Sequence, residues 1–445
     1  MALPLSKLSR LPLKATALLT GSLLVAPGLA LLLLPRPQAE GLERLLPQAS
    51  LLQSFPTAPD RPVPLLWRER LGPRAAERIW RQQRGMWWQF WGSDGDGGAF
   101  LAVAKPRQSG VVPAAALPLD DLVVVAPDPL SRRLLQDQLK RASRQRRGLE
   151  RRCLERLQQG QAVYWSPIGL ASLTGPLAPL LQHVRQGCIS LSTSGGRVLN
   201  GLDLRGETAA NTGVLGELPR GSGAAGEVPL PPNGTLLELG GPSLAPLLDT
   251  LLARQLIREP LEARYGLGES QLKLLTSVPF RLRLRGIPRG PFQAGLDLQL
   301  AVGRDRRPWA ALLRDLRKGL LAQDLQEAPA QLTSTAAGPV SQALPSARFL
   351  RDDGTVVGGW RWQSAGGGEP QLLLFLGPPA EALSNPVAPA AKRAPLTLSL
   401  LPGALNRLGL MPPGFPELVR QANQLQLSID PSNQPLSRLR GRLRL

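Results

Sequence analysis

The chain of 445 residues carries 53 lysines and arginines against 33 acidic residues, a formal net charge of +20, and 43% of its residues are hydrophobic. This length and apolar content are sufficient for two or three globular domains. The sequence holds one histidine, His183, and two cysteines, Cys153 and Cys188. Zinc sites need three or four ligands, and Ser-His-Asp or Cys-His catalysis needs a histidine beside its nucleophile. We therefore predict no metal and no cofactor.

The N-terminal region contains a long apolar run. Residues 15–34, ATALLTGSLLVAPGLALLLL, carry no charge and have about the length that spans a bilayer. Lys7, Arg10 and Lys14 precede the run, so the positive-inside tendency keeps residues 1–14 in the cytoplasm. A cleaved signal peptide is the alternative, although its apolar core is usually shorter. The sequence predicts a transmembrane anchor held by the lipid bilayer, with the rest of the chain outside the cytoplasm.

Composition divides the remainder into segments. Residues 35–64 are rich in proline and are predicted to form a tether. A first α+β domain is predicted over 65–215, a Gly/Pro-rich linker over 216–234 and a second α+β domain over 235–445. The linker contains GSGAAG at 221–226, which matches a dinucleotide-binding fingerprint but lacks the preceding strand and following helix.

Two segments share one order of elements. Residues 162–207 and 395–445 both read as strand, turn, helix, "VRQ", strand, polar turn and a final strand containing "LRG". We interpret them as a duplicated unit. The predicted fold class is α+β: an N-terminal transmembrane helix, followed by repeated strand-helix-hairpin units that form largely antiparallel sheets covered by helices.

The stretch GMWWQFWGSDGDGGAFLAVA at 85–104 combines aromatic residues with two Asp-Gly steps. A calcium loop beginning at Asp94 would place Lys105 where a bidentate glutamate is required. If residues 86–91 instead form a strand, apolar side chains lie on both of its faces. The glycines that follow supply the positive-φ positions that a chain reversal needs. We predict a core hairpin.

Export would place Cys153 and Cys188 where disulfides persist. A bridge between them would close a loop of about 36 residues and stabilise the fold by roughly 4 kcal/mol. Two buried free thiols are the alternative.

Adjacent carboxylates are the remaining candidates for acid-base chemistry. They are Asp94 with Asp96, Asp120 with Asp121, and Asp352 with Asp353. Each pair is predicted at a turn or strand end, where aspartate has an ordinary structural role.

Arginines alternate with apolar residues in two strands. In FRLRLRG, beginning at Phe280, and in RLRGRLRL, at the C-terminus, the arginines occupy one face. Asp297 and Gln299 of the neighbouring LDLQL segment are expected beside the first set, while the last strand has only Asp430 and Gln426 nearby. The predicted contacts to an anionic surface are Arg281, Arg283, Arg285, Arg438, Arg440, Arg442 and Arg444.

The first half resembles a known family. The apolar run, the Pro-rich stretch, the aromatic strand, the Gly-rich turn and DDLVVVAPDPLSRRLLQDQL at 120–139 resemble cyanobacterial membrane-anchored proteins that carry an uncharacterised domain of unknown function. The resemblance covers roughly residues 1–210. It implies a bacterial exported protein and carries no functional residues with it.

Together these features predict a single-pass protein of a bacterial plasma or thylakoid membrane, with most of its chain extracytoplasmic. We expect it to bind or scaffold without catalysis at a membrane or cell-envelope surface. An anionic lipid or a cell-wall polymer is the expected partner, and nucleic acid is not. The alternatives are an envelope hydrolase that uses paired carboxylates and a carrier of an apolar ligand.

Overall fold

A computed structural model provides the coordinates of the protein. It describes residues 39–93, 98–105, 116–141, 148–174, 181, 184–193, 201–209, 234–287, 291–329, 346–364, 370–379, 387, 395–411, 417–430 and 436–445.

The described residues form 18 strands and 12 α-helices. The strands are β1 (Ala49–Pro56), β2 (Met86–Gly92), β3 (Phe100–Ala104), β4 (Leu117–Leu119), β5 (Leu122–Val125), β6 (Ala162–Trp165), β7 (Gln186–Thr193), β8 (Leu202–Ala209), β9 (Thr235–Gly241), β10 (Phe280–Gly286), β11 (Ala294–Ala301), β12 (Gln326–Pro329), β13 (Ala347–Leu350), β14 (Val356–Ser364), β15 (Pro370–Leu376), β16 (Leu396–Leu400), β17 (Gln424–Asp430) and β18 (Leu436–Arg444). The helices are α1 (Leu42–Leu45), α2 (Leu65–Leu71), α3 (Pro73–Gln82), α4 (Pro129–Arg141), α5 (Gly148–Gln159), α6 (Pro167–Thr174), α7 (Ala245–Leu252), α8 (Gln255–Tyr265), α9 (Glu269–Thr276), α10 (Arg307–Leu321), α11 (Pro402–Arg407) and α12 (Glu417–Gln421).

All 18 strands join one antiparallel sheet. The pairings place the strands in the order β4-β5-β3-β2-β1-β6-β7-β8-β18-β17-β16-β9-β10-β11-β15-β14-β13-β12. Most neighbours along the chain are also neighbours in the sheet, as short antiparallel connections allow. One exception decides the architecture, because the pairing of β8 with β18 joins the first half of the chain to the second.

The sheet contains the same six-strand arrangement twice. One copy runs β3-β2-β1-β6-β7-β8 and the other β11-β10-β9-β16-β17-β18. The last strands of the two copies, β8 and β18, pair with each other, and Arg205 lies opposite Arg440. These arginines are the middle residues of the Leu-Arg-Gly sequences in the two duplicated segments. A local pseudo-two-fold axis therefore passes between them.

The predicted transmembrane helix followed by helix-covered sheets is wrong. No described helix is both long and apolar enough to span a bilayer, and the predicted anchor at 15–34 lies outside the described residues. The predicted separate sheets are one sheet, since β8 and β18 pair and leave neither copy with a free edge there. The predicted linker at 216–234 lies almost wholly outside the described residues.

The predicted tether at 35–64 also differs from the structure. Its described part begins at Ala39 and includes α1 and β1, and β1 pairs with β2 on one side and β6 on the other. Leu42, Leu45 and Leu46 are fully buried. The prolines that suggested a tether lie before, at the end of and after a strand whose first four residues are all buried.

Both faces of the sheet are apolar in the first half. Trp88 and Phe90 pack against α4 and α5 in one cluster, while Trp87 packs with Trp67 and Trp80 in another. The predicted core hairpin is confirmed by the pairing of β2 with β3. Its turn, with Asp94 and Asp96, lies outside the described residues.

The second half is asymmetric. Apolar side chains of α7, α9, α10 and α11 pack on one face, where Phe280, Trp309 and Trp360 are among the core residues. The opposite face of β9–β11 and β15–β17 carries mainly polar side chains, of which Arg283, Asp297 and Gln299 are buried.

Two equivalent glycines bring neighbouring backbones together. A Cβ at Gly441 would lie 2.3 Å from the carbonyl oxygen of Gln426, and one at Gly206 would lie 2.1 Å from that of Cys188. We expect Gly441→Ala to lower the free energy of unfolding by about 1–3 kcal/mol, because β17 and β18 must separate locally. Gly160→Ala is the control, since its Cβ would meet nothing within 4 Å. Urea unfolding of the two variants measures the effect, and equal midpoints would contradict it.

Candidate functional site: an arginine-rich sheet face

The two predicted arginine sets lie on one face of the sheet. The register links them through a single row across six strands: Arg442, Gln426, Ser399, Glu238, Arg283 and Asp297. Residues paired in antiparallel strands place their side chains on the same side. We call this side of β8–β11 and β13–β18 the arginine face. The two sets are four strand spacings apart, about 19 Å if the sheet were flat.

Arginines outnumber carboxylates on the arginine face. The arginines are Arg205, Arg281, Arg283, Arg285, Arg348, Arg361, Arg438, Arg440, Arg442 and Arg444, and the described carboxylates are Asp203, Glu207, Glu238 and Asp297. The face is therefore cationic.

The arginines of β10 are held by ion pairs. The Glu238 carboxylate lies 2.9 Å from Nε of Arg283 and 3.4 Å from Nε of Arg281. Arg283 is only 3% exposed, so its role is structural. Burial lowers the pKa of Arg281, and Glu238 opposes that effect.

Arg285 is held in the same way by the next strand. Its Nε and Nη2 atoms both donate to the Asp297 carboxylate, and Nη2 also donates to the carbonyl oxygen of Pro378 at 2.8 Å. The predicted positions of Asp297 and Gln299 beside this strand are confirmed by the register. Burial also lowers the pKa of Arg361, which the charge of Asp297 opposes.

Fewer carboxylates neutralise the arginines of the last strand, β18. Arg442 pairs with Asp203 at 3.3 Å, and both side chains are partly exposed. No described carboxylate oxygen lies within ion-pair distance of Arg440 or Arg444. Sequence reasoning missed Asp203 and Arg205, because β8 and β18 are far apart in the chain. The shared Leu-Arg-Gly sequence was the available signal for Arg205.

Several buried polar atoms of the arginine face lack hydrogen-bond partners among the described residues. They are Ser399 Oγ, Gln299 Oε1, Gln424 Nε2 and Arg348 Nε. Ser399, Gln299 and Gln424 are each at most 5% exposed. An unsatisfied buried polar atom costs about 1–3 kcal/mol, so water or a polar ligand is expected beside these groups.

Of the two alternatives for the cysteines, the structure has the disulfide, between Cys153 in α5 and Cys188 in β7, with a Cα–Cα distance of 5.4 Å. Both cysteines are fully buried. Arg156 on the same helix donates two hydrogen bonds to the Glu207 carboxylate, from Nη2 at 2.6 Å and from Nε at 3.0 Å. The disulfide thus fixes α5 beside the first strands of the arginine face.

The acidic pair at 120–121 has local structural partners. The Asp121 carboxylate accepts hydrogen bonds from the backbone N–H groups of Ala39 and Gly41. Asp120, which has a positive φ of 51°, lies 3.7 Å from Arg44. No group of three or more metal-binding side chains occurs among the described residues.

The pair at 352–353 also lies in a turn. Asp352 accepts from the Gln326 amide, and Asp353 accepts from the backbone N–H of Thr355. That backbone hydrogen bond is the main cause of a lowered pKa for Asp353. A general acid needs a raised pKa, so this carboxyl does not suit that role.

The lowered pKa of Asp353 predicts a pH dependence. Its folded-state value lies below its unfolded value, so the stabilisation is present above the unfolded pKa and is lost as the pH falls through the folded pKa. Carboxyl NMR titration of the folded protein measures it. Asp353→Asn should remove this part of the acid dependence, and an ordinary pKa at Asp353 would contradict the prediction.

Comparison of the chain with family models, curated proteins and solved structures finds no match. The resemblance to cyanobacterial exported proteins therefore rests on the sequence motifs alone.

Proposed function

We propose that the chain is an extracytoplasmic, non-enzymatic binding or scaffolding protein of the bacterial cell envelope, and that its arginine face holds an anionic partner. The observation that carries the proposal is the excess of arginines over described carboxylates on one face, where Arg440 and Arg444 have no described carboxylate within ion-pair distance. Clustered guanidinium groups favour phosphate and carboxylate partners.

The disulfide and the family resemblance support the proposed compartment. Disulfides persist outside the cytoplasm, and the Cys153–Cys188 bridge is buried between α5 and β7. The resemblance to exported proteins supports a proposed location at the outer side of a plasma or thylakoid membrane. The described aspartates at 120–121 and 352–353 are engaged by local groups, so they do not favour the hydrolase alternative.

A cell-wall polymer fits the arginine face better than a lipid surface. The partly exposed Ser190 lies opposite Arg205, and the exposed Ser192 lies opposite Asp203 on the same side of the sheet. Such groups form hydrogen bonds with the hydroxyl and acidic groups of a polysaccharide. A surface that docks on anionic lipid presents protruding cations to headgroups instead.

The experiment is retention of the full-length chain on an immobilised phosphodiester-linked polysaccharide. An uncharged polysaccharide and phosphatidylglycerol vesicles are run in parallel. We expect retention on the charged polymer that falls as salt rises, because counterions screen the arginines. Retention on vesicles alone would assign the face to lipid, and salt-independent or absent retention on both would overturn the proposal.

Matched double variants locate the surface. Arg438→Gln with Arg444→Gln should weaken retention, whereas Arg258→Gln with Arg264→Gln should not. The control pair lies exposed on α8 and removes the same charge from the other side of the sheet. Equal losses in both variants would indicate a net-charge effect and contradict the proposed face.

A further inference from the structure

The pseudo-two-fold axis brings two like charges together. Arg205 in β8 and Arg440 in β18 are directly opposite in the register, and both side chains lie on the arginine face. Side chains opposite one another on adjacent strands have Cβ atoms about 5 Å apart, and like charges there are destabilising. The duplication places equal guanidinium groups where a pair of structural residues would ordinarily have opposite charges.

The two carboxylates of β8 beside this pair are already engaged. Glu207 is bound by Arg156 through two hydrogen bonds of 2.6 and 3.0 Å, and Asp203 is 3.3 Å from Arg442. Among the residues whose side chains the structure describes, no carboxylate contacts Arg205 or Arg440 within ion-pair distance. The two guanidinium groups therefore have capacity for an added anion.

The flanking residues are also suited to an oxyanion. Ser190 is paired with Arg205 and Ser428 with Arg440, which places a serine on each side of the arginine pair in one row. Ser428 is 5% exposed. In the same face, Ser399 Oγ and Gln424 Nε2 are buried without a partner among the described residues. These polar groups indicate that the face accommodates a hydrogen-bonding occupant.

We propose that Arg205 and Arg440 form one anion site on the pseudo-two-fold axis, and that it takes a single tetrahedral oxyanion, a phosphate or sulfate group. One guanidinium fork occupies both oxygens of a carboxylate, whereas two opposed forks require an acceptor with three or four oxygens. The site deepens the proposed function, on which it rests, because it names the acidic group of the envelope partner.

Titration of the full-length chain with inorganic phosphate, sulfate and acetate tests the site by calorimetry and by NMR of arginine Nε–H groups. We expect saturable binding of one phosphate or sulfate per chain and weaker binding of acetate. Arg205→Gln and Arg440→Gln should each weaken phosphate binding by about ten-fold, since each removes charged hydrogen bonds. Arg258→Gln, at an exposed position of α8 outside the arginine face, should leave it unchanged.

The lysine variants distinguish a loss of anion binding from a loss of folding. Arg205→Lys with Arg440→Lys keeps both charges but removes the forks, and should weaken phosphate more than acetate. Unchanged phosphate binding in the Arg205→Gln, Arg440→Gln double variant would overturn the site, whatever the polymer retention. Phosphate binding that is lost in that variant, with no polymer retention in the unchanged protein, would support the site and overturn the proposed function.

Discussion

Reduction of the Cys153–Cys188 disulfide is expected to lower the free energy of unfolding by about 4 kcal/mol. The two cysteines are separated by 35 residues in sequence, and closing a loop of that length restricts the unfolded chain. The bridge also connects α5 to β7, at the start of the strands that carry the arginine face. The loss should therefore appear as destabilisation of the first core and of the sheet beside it.

Urea unfolding of the oxidised and the reduced protein measures this effect without changing any side chain. Cys153→Ala with Cys188→Ala should be at least as destabilised as the reduced protein, because the substitutions also remove buried atoms. Adding reductant to that double variant should change nothing. Equal midpoints for the oxidised and reduced wild type would show that the bridge adds no stability.

Local pattern was sufficient for much of the first half. The aromatic alternation around Trp87 and Trp88 predicted the β2–β3 hairpin, because a strand apolar on both faces must be covered on both. The similarity of 162–207 to 395–445 corresponds to two units with the same order of three strands, in which one described helix follows the first strand of the first unit and two follow that of the second. Periodicity and turn chemistry act over a few residues, so they can be read from the chain directly.

The joining of the two halves could not be read in this way. Arg442 and Asp203 are 239 residues apart in sequence, and their contact exists only because β8 and β18 pair. The strand β1 was not predicted for a related reason. Prolines neighbour it in the sequence, and its partners β2 and β6 lie elsewhere in the chain.

The candidate site shows the same division. Alternation placed Arg281, Arg283 and Arg285 on one side of their strand, and hairpin geometry placed Asp297 beside them. Glu238 was not foreseen, because β9 reaches β10 only after three helices. Long-range strand pairing thus places most of the first arginine set in an internal ion-pair network. Arg205 and Arg440, on the pseudo-two-fold axis, remain available to an added anion.

Asp297→Asn is expected to lower the free energy of unfolding by about 3 kcal/mol, because it breaks a buried ion pair and leaves its cation uncompensated. The Asp297 side chain is 1% exposed and Arg285 is 18% exposed. Asparagine has nearly the same volume, so packing is retained while the charge is lost. The pKa of Arg361 should also fall further, because the charge of Asp297 now raises it.

Asp203→Asn is the matched control for burial. It removes the same charge from an aspartate–arginine ion pair on the same face, but the Asp203 side chain is 29% exposed and that of Arg442 is 40% exposed. Solvent screens such a pair, so the expected loss is about 0–1 kcal/mol. Urea unfolding of both variants separates the two cases. A loss at Asp297 no larger than at Asp203 would mean that water reaches the β10–β11 ion pairs, and Arg281, Arg283 and Arg285 would then be available to an anionic partner together with the arginines of β18.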